Sequence, residues 1–107
     1  MTIYALSSGP GLSGVAIIRI SGLETTKVIK SLTSGELPKP RMATLRKINN
    51  INTSELIDEG IIIWFPGPES YTGEDMAEFH IHGSKAVIDA LHHSISKVEN
   101  CRLAEAG

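Results

Sequence analysis

Hydrophobic positions along this chain of 107 residues form short β-branched runs separated by polar, glycine or proline segments. Such runs are typical of β-strands, in which successive side chains alternate between two faces. Four runs predict strands, at 2–6, 15–20, 57–65 and 76–82. A weaker alternation at 41–48 predicts an edge strand, and residues 101–104 begin one more. The pattern therefore predicts five or six strands.

Two other segments place apolar residues at the spacing of an amphipathic helix. The first opens at Ser21 or Gly22 and runs to about residue 32, and the second runs from a cap at Ser84 to about residue 98. The residues expected to face inward are Leu23, Val28, Ile29 and Leu32 in the first helix and Val87, Leu91, Ile95 and Val98 in the second. The predicted fold class is α+β, a mixed sheet with two main helices in one domain spanning 1–107.

Several predicted strands are apolar at consecutive positions, which indicates that both faces of the sheet need cover. Two helices can cover only one face of such a sheet. We expect the other face to meet a second subunit, or else segments of a longer protein that this chain lacks. The chain stops at Gly107 without a closing signal, and we interpret it as truncated inside a longer protein.

The composition restricts the classes of partner. Ten basic and twelve acidic side chains give a formal net charge of −2, whereas a domain that binds nucleic acid alone has a basic surplus. Any RNA contact is therefore expected on another part of the protein or on a partner. The longest apolar run, 61–65, is too short to span a bilayer, and the N-terminus lacks a signal-peptide pattern. Cys101 is the only cysteine, which fits a cytoplasmic protein, and we interpret it as a small buried residue.

The glycine-rich segment 9–14 fits the dinucleotide pattern G-x-G-x-x-G and the glycine spacing of a phosphate loop. Both motifs require a helix after the last glycine, and the phosphate loop also requires a lysine. Here a strand pattern follows, and Val15 occupies the lysine position. The segment is therefore interpreted as a strand-to-strand connection that lets a ligand or another backbone approach closely.

Polar residues on two strands suggest a site. Glu78, His80 and His82 alternate along one strand and therefore share a face. Arg19 interrupts an apolar strand, so its charge needs a partner, either an acidic side chain of this protein or a ligand. The row of Glu78, His80 and His82 is open to three interpretations: a solvated face, a metal site, or a carboxylate that accepts hydrogen bonds from a heterocycle.

The heterocycle interpretation rests on Glu78, because a carboxylate accepts two parallel hydrogen bonds from the N–H edge of a pterin or guanine. It requires Arg19 and Glu78 to face one shared cleft, and it requires Glu78 to be free of an internal ion pair. His92 and His93 are expected on the exposed side of the second helix. No nucleophile, base and orienting group form a catalytic set in the sequence.

Three sequence blocks carry a resemblance to a known family. They are G-x-x-GVAIIRISG at 11–22, LPKPR at 37–41, and FPGPESYTGED at 65–75, the last followed by Glu78 and by His82 and Gly83. In this order and spacing the chain resembles, along nearly its whole length, the N-terminal domain of the tRNA modification GTPases called MnmE or TrmE.

The resemblance implies an α+β fold similar to the folate-binding domain of the glycine-cleavage aminomethyltransferase. It also implies a homodimer that binds 5-formyltetrahydrofolate or 5,10-methylenetetrahydrofolate near the dimer interface. In the full protein, helical and GTPase domains follow, and the GTPase domain holds GTP, Mg and K. With the flavoprotein partner MnmG or GidA, the assembled enzyme modifies the wobble uridine of tRNA with an aminomethyl-type group at C5.

Carried over by position, the folate contacts of the family fall on Arg19 and Glu78. A further folate-contacting lysine of the family lies beyond the last residue of this chain. Three departures surround the site: Tyr71 replaces an expected phenylalanine, His80 an expected glutamine, and Ile81 an expected glycine. Two other functions stay open, a stand-alone aminomethyltransferase-like domain and a module that only dimerises and docks a partner.

Overall fold

A computed structural model describes residues 1–7 and 14–104. Its strands are β1 (Thr2–Leu6), β2 (Val15–Ser21), β3 (Thr44–Asn49), β4 (Leu56–Phe65), β5 (Met76–His82) and β6 (Cys101–Leu103), and its helices are α1 (Thr25–Leu32) and α2 (Lys85–Ser96). The strands form one sheet in the order β3-β4-β5-β2-β1-β6. All neighbouring strands are antiparallel except β1 and β6, which are parallel. The predicted α+β class, with a mixed sheet and two helices, is confirmed.

The edge position predicted for β3 is also confirmed, although the strand begins three residues later than expected. Arg41 adopts a left-handed backbone conformation with φ of 61°, and its N–H donates to the carbonyl of Trp64. That conformation is incompatible with an extended strand. The strand pairing with β4 therefore starts only at Thr44, opposite Ile62.

The first helix begins at Thr25 rather than at Ser21 or Gly22, and the prediction that Leu23 faces inward is wrong. Ser21 still pairs with Met76 in the sheet, and Gly22 has a φ of 140°, which no helix permits. A Cβ at Gly22 would lie 2.5 Å from Thr2 Oγ1, so only glycine lets the two segments pass. Leu23 lies in the turn that follows and is 83% exposed.

The second helix begins where the sequence predicts. The Ser84 hydroxyl accepts a hydrogen bond from the Val87 N–H, which satisfies one of the free amides of the first turn. The helix ends at Ser96, but Val98 remains buried just beyond it. Val87 is only half-buried, and Ile88 contributes to the core in addition to the predicted residues.

Both helices pack on the same face of the sheet. Alternate residues of the central strands point toward them and are fully buried, among them Ile18, Ile20, Ile62 and Phe79. On the helices, the core contains Val28, Ile29, Leu32, Leu91 and Ile95. Neither helix of the described residues is long and apolar enough to cross a membrane.

The opposite face of the sheet, here called the open face, is covered by neither helix. Its apolar residues are Ile3, Val15 and Leu45, which are exposed, and Ile17, Ile61, Ile63 and Phe65, which are half-buried. The expectation that the described helices cover only one face is therefore confirmed. This apolar surface surrounds the polar residues discussed next.

Candidate functional site

Arg19 and Glu78 lie directly opposite each other on the adjacent strands β2 and β5. Both alternate with buried residues of their strands, so both side chains point to the open face. Ile63 of β4 lies in the same row, on the other side of Glu78. The predicted juxtaposition of the guanidinium and the carboxylate on one face is present.

The two side chains form an ion pair. Arg19 Nη2 lies 2.7 Å from Glu78 Oε2, and Arg19 Nε donates to the same oxygen at 3.2 Å. The other oxygen, Oε1, lies 2.9 Å from His80 Nε2. Glu78 is thus not free of internal partners, and that requirement of the heterocycle interpretation is not met. Sequence reasoning placed these residues on one face but left their mutual pairing open.

Glu78 nevertheless remains an ionised acceptor that solvent can reach. Burial raises the pKa of Glu78, but hydrogen bonds from His80 and Arg19 and the positive charge of Arg19 outweigh that effect, so the pKa lies below its ordinary value. The side chains of Arg19, Glu78 and His80 are 40%, 17% and 27% exposed. The cluster is therefore a charged patch at the bottom of a recess rather than a sealed core network.

A cavity of about 450 Å³ lies over this ion pair, and its walls combine charged and apolar side chains. It is lined by Arg19, Phe65, Tyr71, Met76 and Glu78. A second cavity of about 250 Å³ shares Arg19 and Tyr71 with the first and extends toward β1. The Tyr71 ring lies at the junction of the two cavities, with its centroid 5.9 Å from the guanidinium carbon of Arg19, which is within cation–π range.

The loop that carries Tyr71 is fixed to the sheet by hydrogen bonds near its C-terminal end. Ser21 Oγ lies 2.9 Å from Thr72 Oγ1 and also donates to a Glu74 carboxylate oxygen at 3.2 Å. Asp75 accepts from the Gly67 N–H at 2.9 Å, which closes the loop on itself. These bonds hold Tyr71 above Arg19 although its side chain is 89% exposed.

His82, the third member of the row on β5, bonds to a different acid. Its Nδ1 lies 2.8 Å from Asp58 Oδ1, and its backbone N–H donates to Asp58 Oδ2. His80 and His82 therefore form hydrogen bonds with separate carboxylates. In residues 1–7 and 14–104, no group of three His, Cys, Asp or Glu residues is arranged to hold a metal ion. Sequence reasoning missed Asp58, because only the pairing of β4 with β5 brings it close to His82.

The predictions for the remaining residues had mixed outcomes. His93 is exposed as predicted, but His92 is half-buried, with its ring 5.5 Å from the ring of Tyr4. Burial lowers the pKa of His92, although the charge of Asp89 partly opposes that shift. Cys101 is half-buried rather than buried, and burial raises the pKa of its thiol. Residues 9–13 of the glycine-rich segment lie outside the described residues, but a strand rather than a helix follows Gly14.

Comparisons with known proteins agree with the blocks seen in the sequence. A tRNA modification GTPase MnmE of Pelagibacter ubique is 80% identical over 107 residues, which cover 100% of this chain and 24% of that protein. Mitochondrial 5-taurinomethyluridine tRNA synthase subunits are 50% identical over 106 residues in Danio rerio and 44% identical over 107 residues in Homo sapiens. Those alignments cover 99% of this chain and 21% and 22% of the two proteins.

The chain therefore spans about a quarter of the length of these curated relatives. The family model described as GTP-binding protein TrmE N-terminus matches residues 2–107, nearly the whole chain. A match of that extent defines the family, and the chain belongs to the TrmE N-terminal domain family.

Proposed function

We propose that this domain binds a reduced one-carbon folate, 5-formyltetrahydrofolate or 5,10-methylenetetrahydrofolate, in the cavity over Arg19 and Glu78. The observation that carries the proposal is the position of this ion pair at the base of a cavity of about 450 Å³ that Phe65, Tyr71 and Met76 also line. Pockets for ligands of this size commonly enclose about 300–1,000 Å³ and have few, well-placed polar groups. The cavity meets both conditions.

The sequence prediction required Glu78 to be free of an internal ion pair, and this requirement is not met. The proposal depends instead on the hydrogen-bonding capacity that the ion pair leaves unused in both side chains. A carboxylate offers about four lone-pair sites and a guanidinium five N–H donors. Glu78 accepts three hydrogen bonds, two of them from Arg19, whose remaining N–H groups have no partner among the described contacts. In the proposed complex one N–H of the pterin donates to Oε1 of Glu78 in place of His80. Arg19 keeps its bond to Oε2 and donates its other N–H groups to an acceptor oxygen of the folate.

The apolar walls supply the remaining recognition. Phe65 and Met76 lie at the end of the pairing between β4 and β5, and Tyr71 lies over Arg19. A flat heterocycle between such side chains gains stacking and sulfur–aromatic contacts. The second cavity, beyond Tyr71, gives the aminobenzoyl end of the ligand space in which to continue.

The open face is proposed to form a homodimer. Ile3, Val15 and Leu45 are 41%, 51% and 60% exposed on a surface that neither described helix covers. A sheet face that exposes apolar side chains and has no helix over it is typical of a protein interface. The cavity over Arg19 opens on the same face, so a second copy seated there would lie close to the bound ligand.

The wider role is proposed from the relatives, whose names describe tRNA modification GTPases and a taurinomethyluridine tRNA synthase subunit. Within such a protein this domain would hold the folate one-carbon donor for an aminomethyl-type group on the wobble uridine of tRNA. GTP, Mg and K would bind the GTPase domain, outside this chain, and the flavoprotein MnmG would supply the flavin. The formal charge of −2 leaves tRNA binding to those other parts, in the cytoplasm.

Isothermal titration calorimetry of the 107-residue protein with 5-formyltetrahydrofolate tests the proposal. We expect saturable binding with one site per chain. The Glu59→Ala variant should bind the folate as the wild type does, because Glu59 is an exposed acid of β4 that lies outside this cavity. Absence of binding to the correctly folded protein would contradict the proposal.

A second function, a module that dimerises without binding folate, is favoured by one observation. Both oxygens of Glu78 already have partners within the protein, as expected of a purely structural ion pair. Under that alternative, analytical ultracentrifugation would show a dimer while calorimetry with the folate showed no binding. The two measurements together separate the two functions.

A further inference from the structure

His80 stands between the ion pair and a separate recess of about 390 Å³ on the open face, which Val15, Leu45 and Glu59 also line. It lies two residues after Glu78 on β5, flanked in the sheet by Ile17 of β2 and Ile61 of β4. Its side chain is 27% exposed, and its Nε2 lies 2.9 Å from Glu78 Oε1. These two neighbours across the sheet are apolar. The polar contact described for the His80 ring is with Glu78.

This contact determines which oxygen of Glu78 a ligand can use. Oε2 is held by two N–H groups of Arg19, at 2.7 Å and 3.2 Å, whereas Oε1 has the single contact with His80. The bond to His80 is therefore the one that a ligand can replace with less loss. The strength of that bond depends on the charge of the imidazole, because a hydrogen bond between two ionised groups is about twice as strong as a neutral one.

We propose that His80 is a positioning residue that makes ligand binding at Glu78 depend on pH: a neutral His80 yields Oε1 to the ligand, and a protonated His80 retains it. The inference rests on the proposed function, because it concerns the same cavity. Histidine is the side chain whose charge most often changes between about pH 5 and pH 8, so the test spans values in that range. A glutamine at this position would donate a comparable hydrogen bond but would not titrate.

The charged groups around His80 set the direction of the effect. Arg19 faces the same carboxylate from β2, Glu59 lines the neighbouring recess from β4, and His82 lies next along β5. Lys47 of β3 pairs in register with Glu59 at the edge of the sheet. Protonation of His80 places Glu78 between two cations, so the carboxylate becomes a poorer acceptor for an uncharged N–H edge. Affinity should therefore fall as the pH falls.

The test compares the wild-type protein with His80→Gln by calorimetry with 5-formyltetrahydrofolate at several values between about pH 6 and pH 8. For the wild type we expect affinity about tenfold weaker at the low end than at the high end, corresponding to ~1.4 kcal/mol. For His80→Gln we expect nearly constant affinity, close to that of the wild type at the high end. The ligand is the same in both titrations, so its own ionisation cancels in the comparison.

His82→Gln is the matched control, because it removes a histidine of the same strand that bonds to Asp58 instead of Glu78. It should keep the wild-type pH profile. Parallel profiles for the wild type and His80→Gln, in proteins that do bind folate, would overturn this inference and leave the proposed function standing. A wild-type protein that binds no folate at any of these pH values would overturn both.

Discussion

Replacing Glu78 by alanine removes the acceptor at the base of the cavity and tests its role directly. The substitution removes the hydrogen bond that the ligand donates to an ionised carboxylate in the proposed complex. A hydrogen bond to a charged group contributes about 1.5–3 kcal/mol, which corresponds to a loss of affinity of roughly 10- to 150-fold. We expect a loss in this range for 5-formyltetrahydrofolate, measured by calorimetry against the wild type and Glu59→Ala.

The same substitution should leave the fold intact. Arg19 is 40% exposed, so water can solvate the guanidinium that loses its partner, and solvent screening limits the worth of such a pair to about 1 kcal/mol or less. Trp64 is 7% exposed on the helix-covered face, so its fluorescence reports unfolding independently of the cavity. Unchanged folate affinity in a folded Glu78→Ala protein would refute the role assigned to this carboxylate. A protein that no longer folds would refute the argument that the ion pair is dispensable for stability.

Two further predictions concern stability and assembly. Burial lowers the pKa of His92 in the folded protein, so the unfolded chain binds more protons near pH 6. The stabilisation from neutral His92 is fully present above about pH 6.5 and is lost as the pH falls from there through the folded-state pKa. Urea unfolding of His92→Phe should therefore depend less on pH in this range than that of the wild type, whereas the exposed control His93→Gln should behave as the wild type does. For the dimer, Leu45→Lys on the open face should shift sedimentation toward the monomer, whereas Leu23→Lys, at an exposed position before α1, should not; equal sedimentation of both variants would contradict an interface on the open face.

Much of the fold could be predicted because the local pattern carries it. The alternation of Met76–His82 specified the strand and the face of Glu78, and Ser84 specified the start of α2. The local pattern did not predict the start of α1. Its position depends on the pairing of Ser21 with Met76 and on the close approach of Gly22 to Thr2, contacts between residues distant in the sequence.

In the candidate site, too, local patterns predicted the individual residues but not the contacts between residues distant in the sequence. The sequence identified Arg19 because it interrupts an apolar strand, and Glu78 because it belongs to a row of polar residues on one face of its strand. Arg19 and Glu78 lie 59 positions apart in the sequence, so their ion pair depends on the register of β2 and β5, which no local pattern encodes. The hydrogen bond between His82 and Asp58 was not predicted for the same reason, since it forms only when β4 pairs with β5.

The central claim is that a reduced folate contacts the ion pair of Arg19 and Glu78, and nuclear magnetic resonance tests this most directly. The protein would be labelled to observe the Arg19 Nε–H, the Glu78 side-chain carboxyl carbon and the Met76 methyl group during titration with 5-formyltetrahydrofolate. The account predicts saturable shifts at these three groups, with the Glu59 and His93 signals unchanged. Saturable shifts elsewhere with none at Arg19 and Glu78, or no shifts at all, would contradict it.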